Sequence, residues 1–148
     1  TNLVTDQPDI NLAVALFSEL IAADQAIKGV LSRRLPKGME MSHFSLLTHL
    51  GHVGETSPVK LARSFALTKG AITNTLKKLE LAGYIHIRPD WDDARKKQVS
   101  ISDAGRAARD QALTALVPEF EKITRALGDQ KIKATLPVLR EFRATLKS

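Results

Sequence analysis

Residues 67–80 read LTKGAITNTLKKLE and predict one short helix with two different faces. Thr68 is a residue type that caps helix N-termini, so the helix is expected to begin directly after it. Three aliphatic residues recur at helical spacing and predict the buried face: Ile72, Leu76 and Leu79. The other positions form an outward face of small and cationic polar side chains: Lys69, Gly70, Thr73, Asn74 and Lys77. This face suits the DNA major groove, where threonine can meet a thymine methyl or a phosphate, asparagine can pair with adenine, and lysine can hold phosphates.

A second short helix comes before this one, and a hairpin follows it. Ser57-Pro58 places a capping hydroxyl before a proline at the first helical position. The expected buried side of that helix is Val59, Leu61, Ala62 and Phe65. After a glycine stop at Gly83, residues 84–88 and 97–102 alternate as strands around a polar turn at 89–94. Two short helices followed by a hairpin form a winged helix-turn-helix, whose second helix reads the major groove.

Longer helical segments flank this region. Residues 9–35 carry an apolar stripe, and Ser42 is expected to cap a helix that ends near Gly51. From Asp103 onward two more amphipathic helices follow, and their prolines, Pro118 and Pro137, predict a kink or a local break. The sequence therefore predicts a mainly α fold with about six helices and a wing of two or three strands.

The charge is concentrated in the middle of the chain. The 148 residues carry a net charge of +6. Residues 56–106 hold 10 Lys or Arg against 5 Asp or Glu, which gives +5. A positive excess of this kind is typical of a protein that binds a polyanionic partner such as nucleic acid. A solvated cationic face would give the same count. On charge alone both interpretations stay open.

Composition excludes several classes of protein. The chain has no cysteine, so it is not a disulfide scaffold, a zinc finger, an iron–sulfur protein or a thiol redox sensor. We find no run of ~20 apolar residues of the kind that spans a bilayer and no secretory leader. We therefore expect a cytoplasmic protein with no membrane partner.

The sequence motifs predict neither an enzyme nor a metal site. There is no glycine-rich phosphate loop and no cysteine nucleophile, and the acidic residues of the polar turn lack EF-hand spacing. His43, His49 and His52 are interpreted as pocket or surface histidines because no acidic partner follows at ligand spacing. No cofactor is expected.

Two motifs resemble one family. Residues 67–80 with Gly83-Tyr84-Ile85 resemble the recognition helix of MarR-type transcriptional regulators. Asp93-Ala94-Arg95 and residues 101–105 (ISDAG) are similar to the D-x-R…L-T-x-x-G wing signature of that family. Asn74 departs from the pattern, because the family often has a basic residue there. The resemblance implies that Arg95 enters the minor groove from the wing tip and that Asp93 helps to hold it, as expected for an arginine facing a narrow, negative groove.

The resemblance also implies an oligomer and an effector. Residues 1–148 would be a single MarR-like chain, with a DNA-binding lobe at 40–106 and dimerisation helices at 9–35 and 107–148. A two-fold dimer would read a pseudo-palindromic site. The alternative is that the apolar stripes of these helices cover the lobe within one chain. Family members commonly sense small molecules, often aromatic or anionic, in a cleft between the dimer helices and the DNA-binding lobe.

The resulting hypothesis is a homodimeric, sequence-specific regulator of double-stranded DNA, a repressor that a small molecule releases. The residues expected to contact DNA are Thr68, Lys69, Gly70, Thr73, Asn74, Lys77, Arg95, Lys96 and Lys97, with Asp93 as wing support. The alternatives are a winged-helix module that binds another protein and an architectural DNA binder without regulation. Trp91 in the wing tip either packs the hairpin against the body or lies on a phosphate backbone, and packing is favoured because large aromatic side chains are usually buried.

Overall fold

The structure is a computed structural model that describes residues 7–147. Over this range it contains six helices and two strands: α1 (Ile10–Arg34), α2 (Met41–Val53), α3 (Pro58–Ser64), α4 (Lys69–Leu81), β1 (Ile85–Pro89), β2 (Lys97–Ile101), α5 (Asp103–Leu127) and α6 (Asp129–Lys147). The predicted mainly α winged helix-turn-helix is confirmed. The chain divides into two compact units, the first ending at Arg34 and the second beginning at Leu35.

The first unit contains α1, whose side chains are strongly apolar. No residue between Ile10 and Arg34 is buried. The helix is also long and apolar enough to cross a membrane, with a mean hydropathy of 1.5 over 18 residues. The expectation that no segment approaches such a length is therefore wrong, because Glu19 and Asp24 are the only charged residues among residues 10–27. Length and composition are weak evidence for a membrane segment, since apolar helices of soluble proteins pass the same test.

The helices of the second unit begin where local capping signals allow them to. Ser57 Oγ accepts a hydrogen bond from the Lys60 amide at 3.2 Å, which confirms the predicted start of α3. For α2 the predicted cap Ser42 is wrong, because the N-cap is Glu40 and the helix begins two residues earlier, at Met41. The Glu40 amide donates to His43 Nδ1 at 3.2 Å. The end of α2 also lies beyond Gly51, at Gly54, whose φ of 76° turns the chain.

A single apolar core joins α2, α3, α4 and the wing. Its buried members include Leu46, Leu47, Leu50, Leu61, Ile72, Leu76, Leu79, Ile85, Val99 and Ile101. The three aliphatic residues predicted for the inner face of α4 are all in this core. On α3, Leu61 is buried and Ala62 and Phe65 pack against the core. Val59 was expected there too, but it is 67% exposed, because α3 has only seven residues and turns Val59 outward in its first turn.

The wing is a two-stranded antiparallel hairpin with a one-residue extension. Ile85 pairs with Ile101 and Arg88 with Gln98. Thr56, in the loop between α2 and α3, exchanges both backbone hydrogen bonds with Val99, at 3.0 and 2.7 Å. This bridge ties the base of the wing to the loop ahead of α3.

The start of α5 lies directly against the chain that leaves α4. Ser102 Oγ donates to the Gly83 carbonyl at 2.6 Å and accepts from the Gly105 amide at 3.0 Å. A Cβ on Gly105 would lie 2.1 Å from the Tyr84 carbonyl oxygen. Ser102 and Gly105 therefore hold the start of α5 against the chain that leaves α4.

Helices α5 and α6 run without interruption through Pro118 and Pro137, so the local break that was one expectation does not occur, while a kink at each proline stays a prediction. A proline removes only one backbone donor, and the helix continues on both sides of it. Between them these two helices expose a set of large apolar side chains: Val117, Phe120, Ile123, Leu127, Leu136, Val138 and Leu146.

Candidate nucleic-acid interface

Helix α4 presents its predicted polar face to solvent. All five residues of that face are exposed: Lys69, Gly70, Thr73, Asn74 and Lys77. The opposite face is fixed in the core by three buried aliphatic side chains. The exposed side chains therefore stand on a helix that cannot rotate without exposing its apolar face.

Two threonines of the predicted set are already engaged by the helix itself. Thr68 Oγ1 accepts from the Ala71 amide at 3.1 Å, which confirms it as the N-cap of α4. Thr73 Oγ1 donates to the Lys69 carbonyl at 2.7 Å. Because this bond uses the hydroxyl hydrogen of Thr73, its methyl group and the acceptor side of Oγ1 remain for an outside partner.

The wing tip carries Arg95 on a carboxylate support. Arg95 Nε and Nη2 donate to the two carboxylate oxygens of Asp93, at 3.0 and 3.2 Å, and the Arg95 amide donates to Asp93 Oδ1 at 3.1 Å. These bonds, first those from the side chain and then that from the amide, hold the pKa of Asp93 below its ordinary value. The side chain of Arg95 nevertheless stays 90% exposed. Asp93 therefore orients the cation without covering it.

Asp90 organises the turn, a role that was not predicted from the sequence. Its Oδ1 accepts from the amides of Asp92 and Asp93, at 2.8 and 3.3 Å, and its Oδ2 accepts from Gln98 Nε2 at 2.8 Å. These hydrogen bonds, with that from Asp92 the largest contribution, lower the pKa of Asp90. An aspartate whose side chain binds amides two and three residues ahead is the common Asx-turn pattern, which the sequence does contain.

Lys96 and Lys97 follow Arg95 and are both exposed. The Lys96 amide donates to the Asp93 carbonyl and its own carbonyl accepts from the Asp90 amide, both at 2.9 Å. The backbone of the turn is thereby closed, and the two ammonium groups project from a fixed chain. The predicted residues are thus placed in two groups, one on α4 and one on the wing.

Arg88 connects the wing to the loop before α3. Its guanidinium forms a paired interaction with the Glu55 carboxylate, in which Nε donates to Oε2 at 2.9 Å and Nη2 donates to Oε1. Its Nη1 donates to the Pro89 carbonyl at 2.8 Å. The guanidinium carbon also lies 4.1 Å from the centre of the Trp91 ring. Trp91 itself is 83% exposed, so the favoured interpretation that it packs the hairpin against the body is wrong.

A small cationic pocket lies between α2 and α5, with a volume of about 160 Å³. His52, Arg106, Arg109 and Asp110 supply its charged and titratable side chains. Arg109 is held in place, because its Nε donates to Thr48 Oγ1 at 3.2 Å and its Nη1 to Asp110 Oδ1 at 3.1 Å. The pocket therefore presents positioned donors to a small polar molecule.

The three closely spaced histidines lie in different surroundings. His43 is buried at the start of α2, His49 meets the Phe65 ring edge-on with centroids 5.4 Å apart, and His52 faces the pocket. Over residues 7–147, no three His, Asp or Glu side chains come together as a metal-binding group would require.

Part of the chain is similar in sequence to known proteins. Residues 39–97 match the model of the MarR family. An uncharacterized HTH-type transcriptional regulator of Bacillus cereus is 31% identical over 72 residues, which cover 49% of this chain and 47% of that protein. The chain thus matches about half the length of such curated relatives.

Solved structures extend the likeness over nearly the whole chain. A mutant of MarR from E. coli complexed with operator DNA has a TM-score of 0.78 at 20% identity, covering 92% of this chain and 99% of that one. The PcaV transcriptional regulator of Streptomyces coelicolor, in complex with its natural ligand, has a TM-score of 0.82 at 12% identity, covering 93% and 98%. At these identities the likeness shows the fold.

The protein therefore has a winged helix-turn-helix fold. Residues 39–97 are similar to the MarR family, and the fold of nearly the whole chain is similar to that of the solved MarR structure from E. coli. The curated relatives that the chain matches over about half of their length are described as HTH-type transcriptional regulators.

Proposed function

We propose that this protein is a homodimeric repressor that binds a pseudo-palindromic site in double-stranded DNA and is released by a small anionic molecule. The observation that carries the proposal is the arginine of the wing tip. Arg95 is held by both oxygens of Asp93 and still leaves nearly all of its side chain in solvent. A preoriented, exposed guanidinium suits the narrow and negative minor groove.

On the DNA the two groups of residues take different roles. Asn74 and the Thr73 methyl read base edges in the major groove, while Lys69 and Lys77 hold phosphates on either side. Thr68 fixes the start of the helix, and Gly70 allows the backbone to approach the duplex. Arg95 enters the minor groove, and Lys96 and Lys97 hold the adjacent backbone.

The dimer is proposed from the apolar surface of the terminal helices. The single chain leaves large side chains of α5 and α6 in solvent, and those of α1 as well. Exposed apolar area of this extent is typical of a helix-to-helix interface. A second copy would cover it and would set two α4 helices about one DNA turn apart.

The effector is proposed for the pocket between α2 and α5. Arg106, Arg109 and His52 supply two permanent cations and one titratable group, against the single carboxylate of Asp110. This balance favours a small anion such as a carboxylate. The fold shared with a regulator bound to its natural ligand supports the same kind of regulation for this chain. Because the target is chromosomal DNA, the proposed location is the cytoplasm.

The direct test is a titration of the protein against DNA that flanks its own gene, near physiological salt, with a shuffled duplex of equal length as control. We expect at least ~10³-fold discrimination, with two chains bound per site. Arg106→Gln should leave the affinity for this DNA intact but weaken its release by small aromatic carboxylates. Equal, salt-labile binding to both duplexes would instead favour a winged-helix module that binds another protein.

A further inference from the structure

Trp91 is the largest exposed aromatic side chain on the wing. It stands at the tip of the hairpin, in the turn that also carries Arg95, and 83% of it faces solvent. Large aromatic side chains normally bury most of their area, so one this exposed indicates a surface meant for contact.

The exposed ring is held in a fixed place. Asp90 binds the amides of the two residues that follow Trp91, which fixes the backbone on that side. The guanidinium of Arg88 covers one face of the ring at 4.1 Å and is itself anchored by Glu55 and the Pro89 carbonyl. One face of the Trp91 indole is therefore packed against the Arg88 guanidinium, and the remainder of the ring is exposed to solvent.

The charges around the ring indicate what kind of contact it makes. Arg88 is paired with Glu55 and Arg95 with Asp93, and residues 89–96 carry three Asp against one Arg and one Lys, so the turn around the ring is not cationic. A contact at this point must therefore draw on apolar area as well as on charge. The sugars of the DNA backbone offer such area beside their phosphates, and aromatic side chains pack on nucleic acid without regard to sequence.

We propose that Trp91 packs against the deoxyribose–phosphate backbone at the edge of the minor groove that Arg95 enters. This inference rests on the proposed DNA-binding function and extends the same interface by one turn residue. Trp91 then supplies the part of wing binding that does not depend on salt, while Arg95, Lys96 and Lys97 supply the part that does.

The test uses the fact that Trp91 is the only tryptophan of the chain. Its fluorescence is quenched with acrylamide in the free full-length protein and again with a saturating, specifically bound duplex. In parallel, duplex affinity is measured at several salt concentrations for wild type, Trp91→Ala, Trp91→Phe and Leu81→Ala. Leu81 is the matched control, because it is 81% exposed and lies at the far end of α4.

We expect the bound duplex to protect the indole and Trp91→Ala to lower affinity about tenfold with an unchanged salt slope. Trp91→Phe should recover most of the affinity, and Leu81→Ala should bind like wild type. Thermal unfolding of the variants confirms that each is folded.

The other outcomes overturn the proposal. An indole that stays fully open to acrylamide, an affinity that Trp91→Ala does not change, or an equal loss in Leu81→Ala each excludes the contact. Protection that rises with protein concentration in the absence of DNA assigns the ring to a protein interface instead. If wild type discriminates between duplexes and Trp91 fails these tests, only this contact is wrong. If the wild-type protein binds all duplexes with equal affinity, the proposed function is wrong as well as the Trp91 contact.

Discussion

Asp93 holds Arg95 by three hydrogen bonds, two to the guanidinium and one to the backbone amide, and leaves the arginine side chain exposed. Because the cation that we propose to enter the groove is preoriented, its removal should cost affinity directly. We expect Arg95→Ala to weaken operator binding, with the larger loss on duplexes with A·T-rich flanks, where the minor groove is narrow. Competition between two duplexes that differ only in their flanks measures this.

The matched control is Lys37→Ala, which removes an exposed cation from the loop between α1 and α2. Its affinity should equal that of wild type on both duplexes. If Arg95→Ala also binds both like wild type, the assignment of the wing tip to the minor groove is wrong.

The same pair makes a prediction about titration. Since hydrogen bonds from Arg95 lower the pKa of Asp93, Arg95→Gln should raise that pKa toward the ordinary value of 3.8. The lowered pKa means that ionised Asp93 supports the turn above the unfolded value, and that this support disappears as pH falls through the folded value. Carboxyl carbon NMR as a function of pH measures the pKa of Asp93 in the wild type and in Arg95→Gln.

Asp90 provides the internal reference in those spectra. Its pKa is lowered mainly by the Asp92 amide and by Gln98, neither of which Arg95→Gln removes. The Asp90 midpoint should therefore stay low in the variant. Equal shifts of both midpoints would mean that the turn as a whole had loosened.

Two residues on α4 should separate affinity from specificity. Lys77→Ala removes the proposed phosphate contact, so it should weaken binding to every duplex alike and reduce the salt slope by about one. Asn74→Ala should relax the preference at one base pair, by ~1–3 kcal/mol, with little effect on the slope. Binding to a set of single-base variants at several salt concentrations distinguishes the two. Identical profiles would contradict the roles proposed for these side chains.

Two glycines should respond in opposite ways to the same change. A Cβ on Gly105 would collide with the Tyr84 carbonyl and with Ile101 Cγ1, so Gly105→Ala should destabilise the fold by ~1–3 kcal/mol. A Cβ on Gly70 would meet nothing within 4 Å, so Gly70→Ala should stabilise α4 by ~0.5–1 kcal/mol. Chemical denaturation measures the free energy of unfolding of both variants.

Gly70→Ala carries a second expectation. If the backbone of α4 approaches the duplex at this point, the variant should bind DNA more weakly even though its fold is more stable. Unchanged DNA affinity in Gly70→Ala would show that the glycine serves no close approach.

The sequence predicted best what is decided locally. The starts of α3 and α4 follow from Ser57-Pro58 and Thr68, and each strand of the wing lies within a residue of its predicted bounds. Capping hydroxyls, proline and alternation act over a few residues, so they can be recognised in one sequence. The start of α2 was missed, because Glu40 with His43 is not a usual capping pair.

What the sequence could not supply depends on distant neighbours. Glu55 and Arg88 are 33 positions apart, and the bridge between Thr56 and Val99, together with the shared core, brings their segments together. The exposure of Val59 and Trp91 depends in the same way on where neighbouring elements end. Residue type alone indicates burial for both side chains, which is why both predictions were wrong.

The central claim is that two copies of this chain read one pseudo-palindromic site. Selection of bound duplexes from random DNA, near physiological salt, tests it without assuming any operator sequence. We expect one enriched site with two half-sites about one helical turn apart, bound at least ~10³-fold more tightly than its shuffled version. A selection that enriches no sequence, with equal binding to all duplexes, would contradict it.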